Sequence, residues 1–183
     1  MSTKKIYKDS IGIPEKIQAE LENHTLKIKG EKGELQRQLI IPKVIVKKED
    51  KIIIFTSKYA SKRQKRIINT FKSHIKNMFV GVIKGFAYKL KICSGHFPMV
   101  VEVKNRELIV KNFYGEKIPR KAKILGDVKV TINGDEILVE GIDKELTGQT
   151  AANIERATLI TKRDKRVFQD GIWLIERDGE GIK

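Results

Sequence analysis

The sequence predicts an α+β fold of two tandem, similar domains, an internal duplication in which each copy is a mostly antiparallel sheet with one packed helix. Three observations predict it. Apolar residues alternate with a period of two in two blocks, residues 25–57 and 107–140. Matching positions in the blocks stand 82 to 84 residues apart: Leu26 with Leu108, Gly33 with Gly115, Val46 with Val130, Ile53 with Ile137. Each block is followed by a segment whose apolar residues recur at helical spacing.

In the first block the runs are Leu26–Lys29, a turn from Gly30 to Gly33, Glu34–Leu39, Val44–Val46 and Lys51–Phe55. In the second they are Leu108–Val110, a turn at Gly115, Lys117–Arg120, Val128–Ile132, the Asn133-Gly134-Asp135 turn and Ile137–Val139. Alternation closed by Gly, Asn and Asp turns is how antiparallel hairpins are written in sequence. The first helix carries a stripe of Ile67, Phe71, Ile75 and Met78, with Ser57 or Ser61 as N-cap. The second, over residues 144–161, carries a smaller stripe of Ala151, Ile154 and Ala157 or Thr158, with Asp143 or Thr147 as N-cap. Gly81 and Gly85 loosen the chain between the copies, which places the domains at residues 1–82 and 83–183.

Composition points to a polyanionic partner. The 183 residues include 38 Lys and Arg against 23 Asp and Glu, a net charge of +15. Self-repulsion of that size is relieved by a nucleic acid or an anionic membrane surface. The excess is uneven: residues 1–84 carry 20 cations and 8 acids, residues 85–183 carry 18 and 15. The apolar run Ile52-Ile53-Ile54-Phe55 is far too short to span a bilayer, and the first residues lack a signal peptide's apolar stretch. Cys93 stands alone, so it forms neither an internal disulfide nor a zinc site, and a reducing, cytoplasmic setting is expected.

A search for catalysis finds no phosphate loop, zinc spacing or nucleophile motif. His24, His74 and His96 are scattered, and the carboxylates of Glu49-Asp50 and Asp135-Glu136 fall in turns. The chain is therefore expected not to be an enzyme and to need no cofactor and no metal.

Three basic features remain. Lys62, Lys65, Arg66, Lys72 and Lys76 lie opposite the first helix's apolar stripe, as a solvated face or a phosphate-facing one. Lys162, Arg163, Lys165 and Arg166 put four cations in five positions between a helix and a strand, flanked by Phe168 and Trp173. Helix-end carbonyls attract cations by themselves, yet an Arg fork also suits phosphate. The Arg pair is expected to contact phosphate and Trp173 to anchor in the core. Lys117, Arg120, Lys121 and Lys123 border an edge strand with Pro119, where alternating cations deter aggregation or track a backbone. The RNA-facing candidates are thus Lys162, Arg163, Lys165, Arg166, Lys117, Arg120, Lys121, Lys62, Arg66 and Lys76.

Five stretches in order resemble the large-subunit ribosomal protein six family in its archaeal and eukaryotic branch, whose eukaryotic counterpart is numbered nine. They are Gly30-Glu31-Lys32-Gly33-Glu34; Ser73 to Met78 with Gly81-Val82 and Gly85-Phe86; His96-Phe97-Pro98; Asn112 to Gly115-Glu116-Lys117; and Thr150 to Ile154 through Arg163, Arg166 and Phe168 to Asp170-Gly171-Ile172. Trp173 departs from the branch's usual Tyr or Phe, and Glu155-Arg156 from a glutamine common in eukaryotic members. The wording leans archaeal. The resemblance implies two similar domains, and a second domain lying on large-subunit rRNA near the sarcin–ricin loop, close to where translation factors bind. It makes Arg163 and Arg166 rRNA contacts. It also implies a monomer among neighbouring ribosomal proteins in the cytoplasm, without membrane. A free-standing nucleic-acid-binding regulator is the alternative.

Overall fold

The computed structural model describes residues 6–40, 42–58, 61–161, 163–164 and 166–181. The chain divides into two compact units, Met1–Lys84 and Gly85–Lys183.

In the first unit, β1 (Tyr7–Gly12), β6 (Ile52–Ser57) and β5 (Val44–Glu49) form one antiparallel sheet in the order β1-β6-β5. β2 (Gln18–Glu22), β3 (Thr25–Gly30) and β4 (Gly33–Gln38) form another in chain order. The helix α1 (Lys62–Ile83) packs on β3 and β4. Leu26, Ile28, Ile53 and Phe55 alternate into the core and are inaccessible to solvent. α1 starts at Ser61, whose hydroxyl accepts from the Gln64 N–H at 3.3 Å, and ends at Lys84, followed by Gly85 at φ +73°. A left-handed glycine just past a helix end closes it without Cβ strain. Gly81, expected to loosen the chain, lies instead inside α1 and is buried.

The apolar stripe of α1 is rotated from the expected one. Ile68, Ile75, Met78, Phe79 and Val82 are buried, while Ile67 and Phe71 are only half-buried flanks. Two neighbouring apolar rows on one helix look alike in sequence, and the sheet beneath chose between them.

Gly30-Glu31-Lys32-Gly33 is a packing device. The Lys32 N–H donates to the Val82 carbonyl of α1 at 3.0 Å. A Cβ on Gly30 would stand 2.8 Å from both the Val82 carbonyl oxygen and its side chain. Gly30→Ala is therefore expected to destabilise this unit by about 1–3 kcal/mol, the usual cost of overpacking. Urea unfolding checks it; a midpoint at the wild-type value would show that α1 can shift to make room.

The second unit repeats this order. β7 (Phe86–Cys93), β8 (Val100–Lys104), β9 (Glu107–Lys111), β10 (Arg120–Lys123), β11 (Lys129–Asn133), β12 (Glu136–Gly141) and α2 (Lys144–Ala157) follow one another as β1 to α1 do. Ile53 and Ile137 are the second residues of β6 and β12, facing Ile11 and Leu90 across the sheet. The hairpin turns Asn23-His24 and Asn105-Arg106, 82 residues apart, both have two left-handed residues. That conformation twists a two-residue hairpin correctly. A final hairpin, β13 (Gly171–Arg177) with β14 (Glu180–Gly181), has no counterpart among the described residues of the first unit and makes the sheet β11-β12-β7-β13-β14.

Three expectations need correction. Gly33 opens β4, but Gly115 ends a turn five residues before β10, because the second unit inserts residues there. Lys117–Pro119 are not strand; β10 begins at Arg120, since Pro119 has no N–H for the ladder. α2 ends at Ala157 rather than 161, where Thr158 caps it and its hydroxyl accepts from the Ile172 N–H at 2.9 Å. Of the caps left open, Asp143 opens α2, accepting from Glu145 N–H at 2.8 Å.

Candidate nucleic-acid interface

Three connections of the second unit meet around one buried carboxylate. Asp170, 2% exposed, accepts from the Gly95 N–H at 2.7 Å, the His96 N–H at 3.0 Å and His96 Nδ1 at 3.1 Å. It thereby ties the residues before β13 to the loop after β7. Burial alone would raise its pKa, but the Gly95 and His96 donors outweigh that and hold it below the usual carboxylate range. An ionised carboxylate only accepts, so Nδ1 carries the proton of that bond.

The His96 ring stacks on Phe168, with centroids 5.5 Å apart and 23° between planes, and lies 5.9 Å from Tyr114. Tyr114 meets Phe97 edge-on at 6.4 Å and Phe113 at 4.9 Å. Asn112 and Tyr114 are both left-handed, at φ +58° and +50°, and Asn112 Nδ2 donates to the Pro98 carbonyl at 3.0 Å. Non-glycine residues persist there only where surrounding structure over-determines them. Tyr114's hydroxyl is pushed above its ordinary pKa, first by burial and then by the Asp170 charge.

Arg163 sits on this cluster, its guanidinium carbon 4.8 Å from the Phe168 centroid and 5.4 Å from that of Tyr114. It is exposed and makes no ion pair among the described residues. Arg166 differs. Its guanidinium binds the Asp164 carboxylate at 2.9 and 3.2 Å, its N–H donates to the same group at 3.0 Å, and its side chain stays 90% exposed. Those bonds hold Asp164's pKa low. Lys162 and Lys165 lie outside the described residues.

The remaining candidates fall into three groups. Arg120 is absorbed by the fold. Its Nε and Nη2 hold Glu116 at 2.8 and 2.6 Å, and its Nη1 donates to the carbonyls of Ala157 and Leu159 at 3.1 and 3.2 Å. Its plane covers Phe113 at 4.3 Å. Four of its five donors are spent on the end of α2 and the 113–116 turn, which leaves little of its guanidinium for a phosphate. Lys121 pairs with Glu107 at 3.2 Å yet is 57% exposed. Lys117, Lys62, Arg66 and Lys76 are exposed and carry no ion pair among the described residues. On the same helix Lys72 is spent on Asp9 at 2.6 Å, and Lys65 lies over Tyr7 at 5.1 Å.

Trp173 is not a core anchor. It is half-exposed, donates from Nε1 to the Gln169 carbonyl at 3.0 Å, and lies against Gly171, where a Cβ would stand 3.3 Å from the indole. Ile172, 1% exposed, is the buried neighbour. His96, Phe97, Tyr114 and Asp170 carry no site assignment from sequence, although all four stand in the stretches that carry the family resemblance. No periodicity marks them, and His96 meets Asp170 across 74 residues.

Two side chains from the middle of α2 pin the end of β10 and the segment that follows it. Thr150 Oγ1 accepts from Leu125 N–H at 3.2 Å, and Asn153 Nδ2 donates to the Lys123 carbonyl at 3.2 Å.

The second unit of a duplicated α+β scaffold thus bears a cationic, ring-backed loop cluster, and no described helix is long and apolar enough to cross a membrane. Among the described residues no group of three His, Cys, Asp or Glu is placed to hold a metal ion. The family model described as ribosomal protein L6 matches residues 13–85 and 97–171, one match to each unit's repeat. The large ribosomal subunit protein uL6 of Staphylothermus marinus is 49% identical over 172 residues, 92% of this chain and 93% of the relative. That of Methanococcus vannielii is 42% identical over 175 residues, 96% of each. The chain belongs to the ribosomal protein L6 family.

Proposed function

We propose that the chain is a structural component of the large ribosomal subunit that binds large-subunit rRNA near the sarcin–ricin loop, beside the region where translation factors act. The observation that carries this is kinship over nearly the whole length of proteins named for the large subunit. The net charge of +15 and the exposed cations support it. Affinity comes from Lys62, Arg66, Lys76, Lys117, Lys121, Arg163 and Arg166 on phosphates, with Lys162 and Lys165 continuing the same basic run in sequence. Selectivity comes from the folded shape of the RNA. On this reading the chain performs no chemistry and works as a monomer among neighbouring ribosomal proteins in the cytoplasm.

Each phosphate contact releases a counterion. Binding to purified large-subunit rRNA should therefore fall with salt at a log–log slope of roughly −0.9 per contact on duplex and about −0.7 on single strands. A slope near zero would sink the reading. In a sucrose gradient at moderate salt the chain should travel with the large subunit; a chain that stays at the top is the free-standing regulator instead.

A further inference from the structure

We infer that the loop cluster of the second unit is a seat for one unpaired RNA nucleotide, with the base stacked on Phe97 beside His96 and its phosphate held by Arg163. The inference rests on the rRNA-binding reading above and adds a ligand to it.

Phe97 is 45% exposed although it is a large aromatic side chain, and the His96 side chain beside it is 44% exposed. Neither is loose. His96 is held by Asp170 and by the Phe168 ring, and Phe97 borders Tyr114, whose turn is locked in a left-handed conformation. Exposed rings on a rigid support lose little freedom when a base stacks on them. Every base has a π face, and stacking on aromatic side chains is how proteins take up unstacked RNA bases.

Arg163 supplies the complementary half. Like Phe97, it borders the Tyr114 ring. Among the described residues no carboxylate pairs with it: Asp164 is engaged by Arg166, and Asp170 by the 95–96 loop. The rings fix the guanidinium in place by cation–π contact without using its N–H donors. A positioned fork with unspent donors suits phosphate oxygens. With Nδ1 donating to Asp170, Nε2 is the ring nitrogen left for a ligand, and in an uncharged ring it accepts, which suits a 2′-hydroxyl or a base amino group. A ring, an acceptor and a cation on one patch match the base, sugar and phosphate of a single nucleotide.

Salt separates the parts. Phe97→Ala and Phe97→Leu, in the full chain with purified large-subunit rRNA, should each weaken binding on the order of tenfold. Their log–log salt slope should stay at the wild-type value, because stacking releases no counterion. Phe97→Tyr should bind like wild type. Arg163→Ala should flatten the slope by about 0.7–0.9. Phe97→Leu keeps apolar bulk, so it reports on the π face even if alanine perturbs folding. In ultraviolet-irradiated large subunits, nucleotide adducts should map to the peptide carrying His96 and Phe97.

If wild type binds rRNA and both Phe97 variants bind equally well, the seat is refuted and the rRNA reading stands. If the Phe97 variants bind RNA normally but fail to enter the subunit, the patch docks a protein and the inference is wrong. A wild-type chain that neither binds rRNA nor enters the subunit removes the parent reading itself.

Discussion

Replacing Asp170 with alanine is expected to lower the stability of the second unit by about 3 kcal/mol. Three donors converge on this carboxylate: two peptide N–H groups and the His96 ring. Hydrogen bonds to a charged group contribute roughly 1.5–3 kcal/mol each, less than additively, and the abandoned Gly95 and His96 N–H groups would have no acceptor. Melting curves measure the loss, and faster amide exchange at residues 95 and 96 locates it. A variant that melts like wild type would mean that water replaces the carboxylate without cost. The pH dependence has a definite sign. Asp170's pKa is lowered in the folded state, so its stabilisation is complete above the unfolded value near 3.9 and is lost as pH falls through the folded one. Asp170→Asn should therefore be less stable than wild type at neutral pH. The difference between the two should shrink below about pH 4. A constant difference down to pH 2 would exclude the ionised carboxylate as its source.

Arg120→Ala is expected to cost about 2–4 kcal/mol, with rRNA affinity at equal folded concentration unchanged. The change removes a bidentate pair with Glu116, two bonds to carbonyls at the end of α2, and the cover over Phe113. Arg120→Lys should recover little, since an ammonium reaches one of these partners at a time while the planar fork reaches all three. Glu116→Ala should lose a part of the same stability, and the double variant less than the sum, because the pair shares one network. Thermal melting beside rRNA binding decides the matter. A stable Arg120→Ala protein that fails to bind would return this residue to the interface.

How far the sequence could be read depended on whether the signal was local. Ile53 and Ile137, Leu26 and Leu108 were recognised as equivalents because buried strands alternate and each copy preserves its own alternation. β1 and β7 escaped the repeat, although they pair with β6 and β12 in equivalent registers. Tyr7-Lys8-Asp9-Ser10 is too polar to announce a strand, and its partner lies more than forty residues away in sequence. On α1 the sequence offers two adjacent apolar rows; Ile75 and Met78 of the expected stripe are buried, while Ile68, Phe79 and Val82 are buried in place of Ile67 and Phe71. Gly30, a recognised element of a turn, turned out to be the place where a helix touches the backbone.

By itself the sequence determined the class, the duplication, the excess of positive charge and the basic turn at 162–166, for each is written in neighbouring residues or in their repetition. Only the tertiary structure decided which cations are free. Arg120, Arg163 and Arg166 look interchangeable along the chain, yet one clamps a helix end, one rests on aromatic rings and one is held by Asp164. The physical reason is that a guanidinium's role depends on which acceptors lie within about 3 Å. Those acceptors, from Glu116, Ala157, Leu159 and Asp164, are brought there by folding, three of the four from other elements or turns. The meeting of His96 with Asp170 has the same origin: a bond across 74 residues leaves no period for sequence to show.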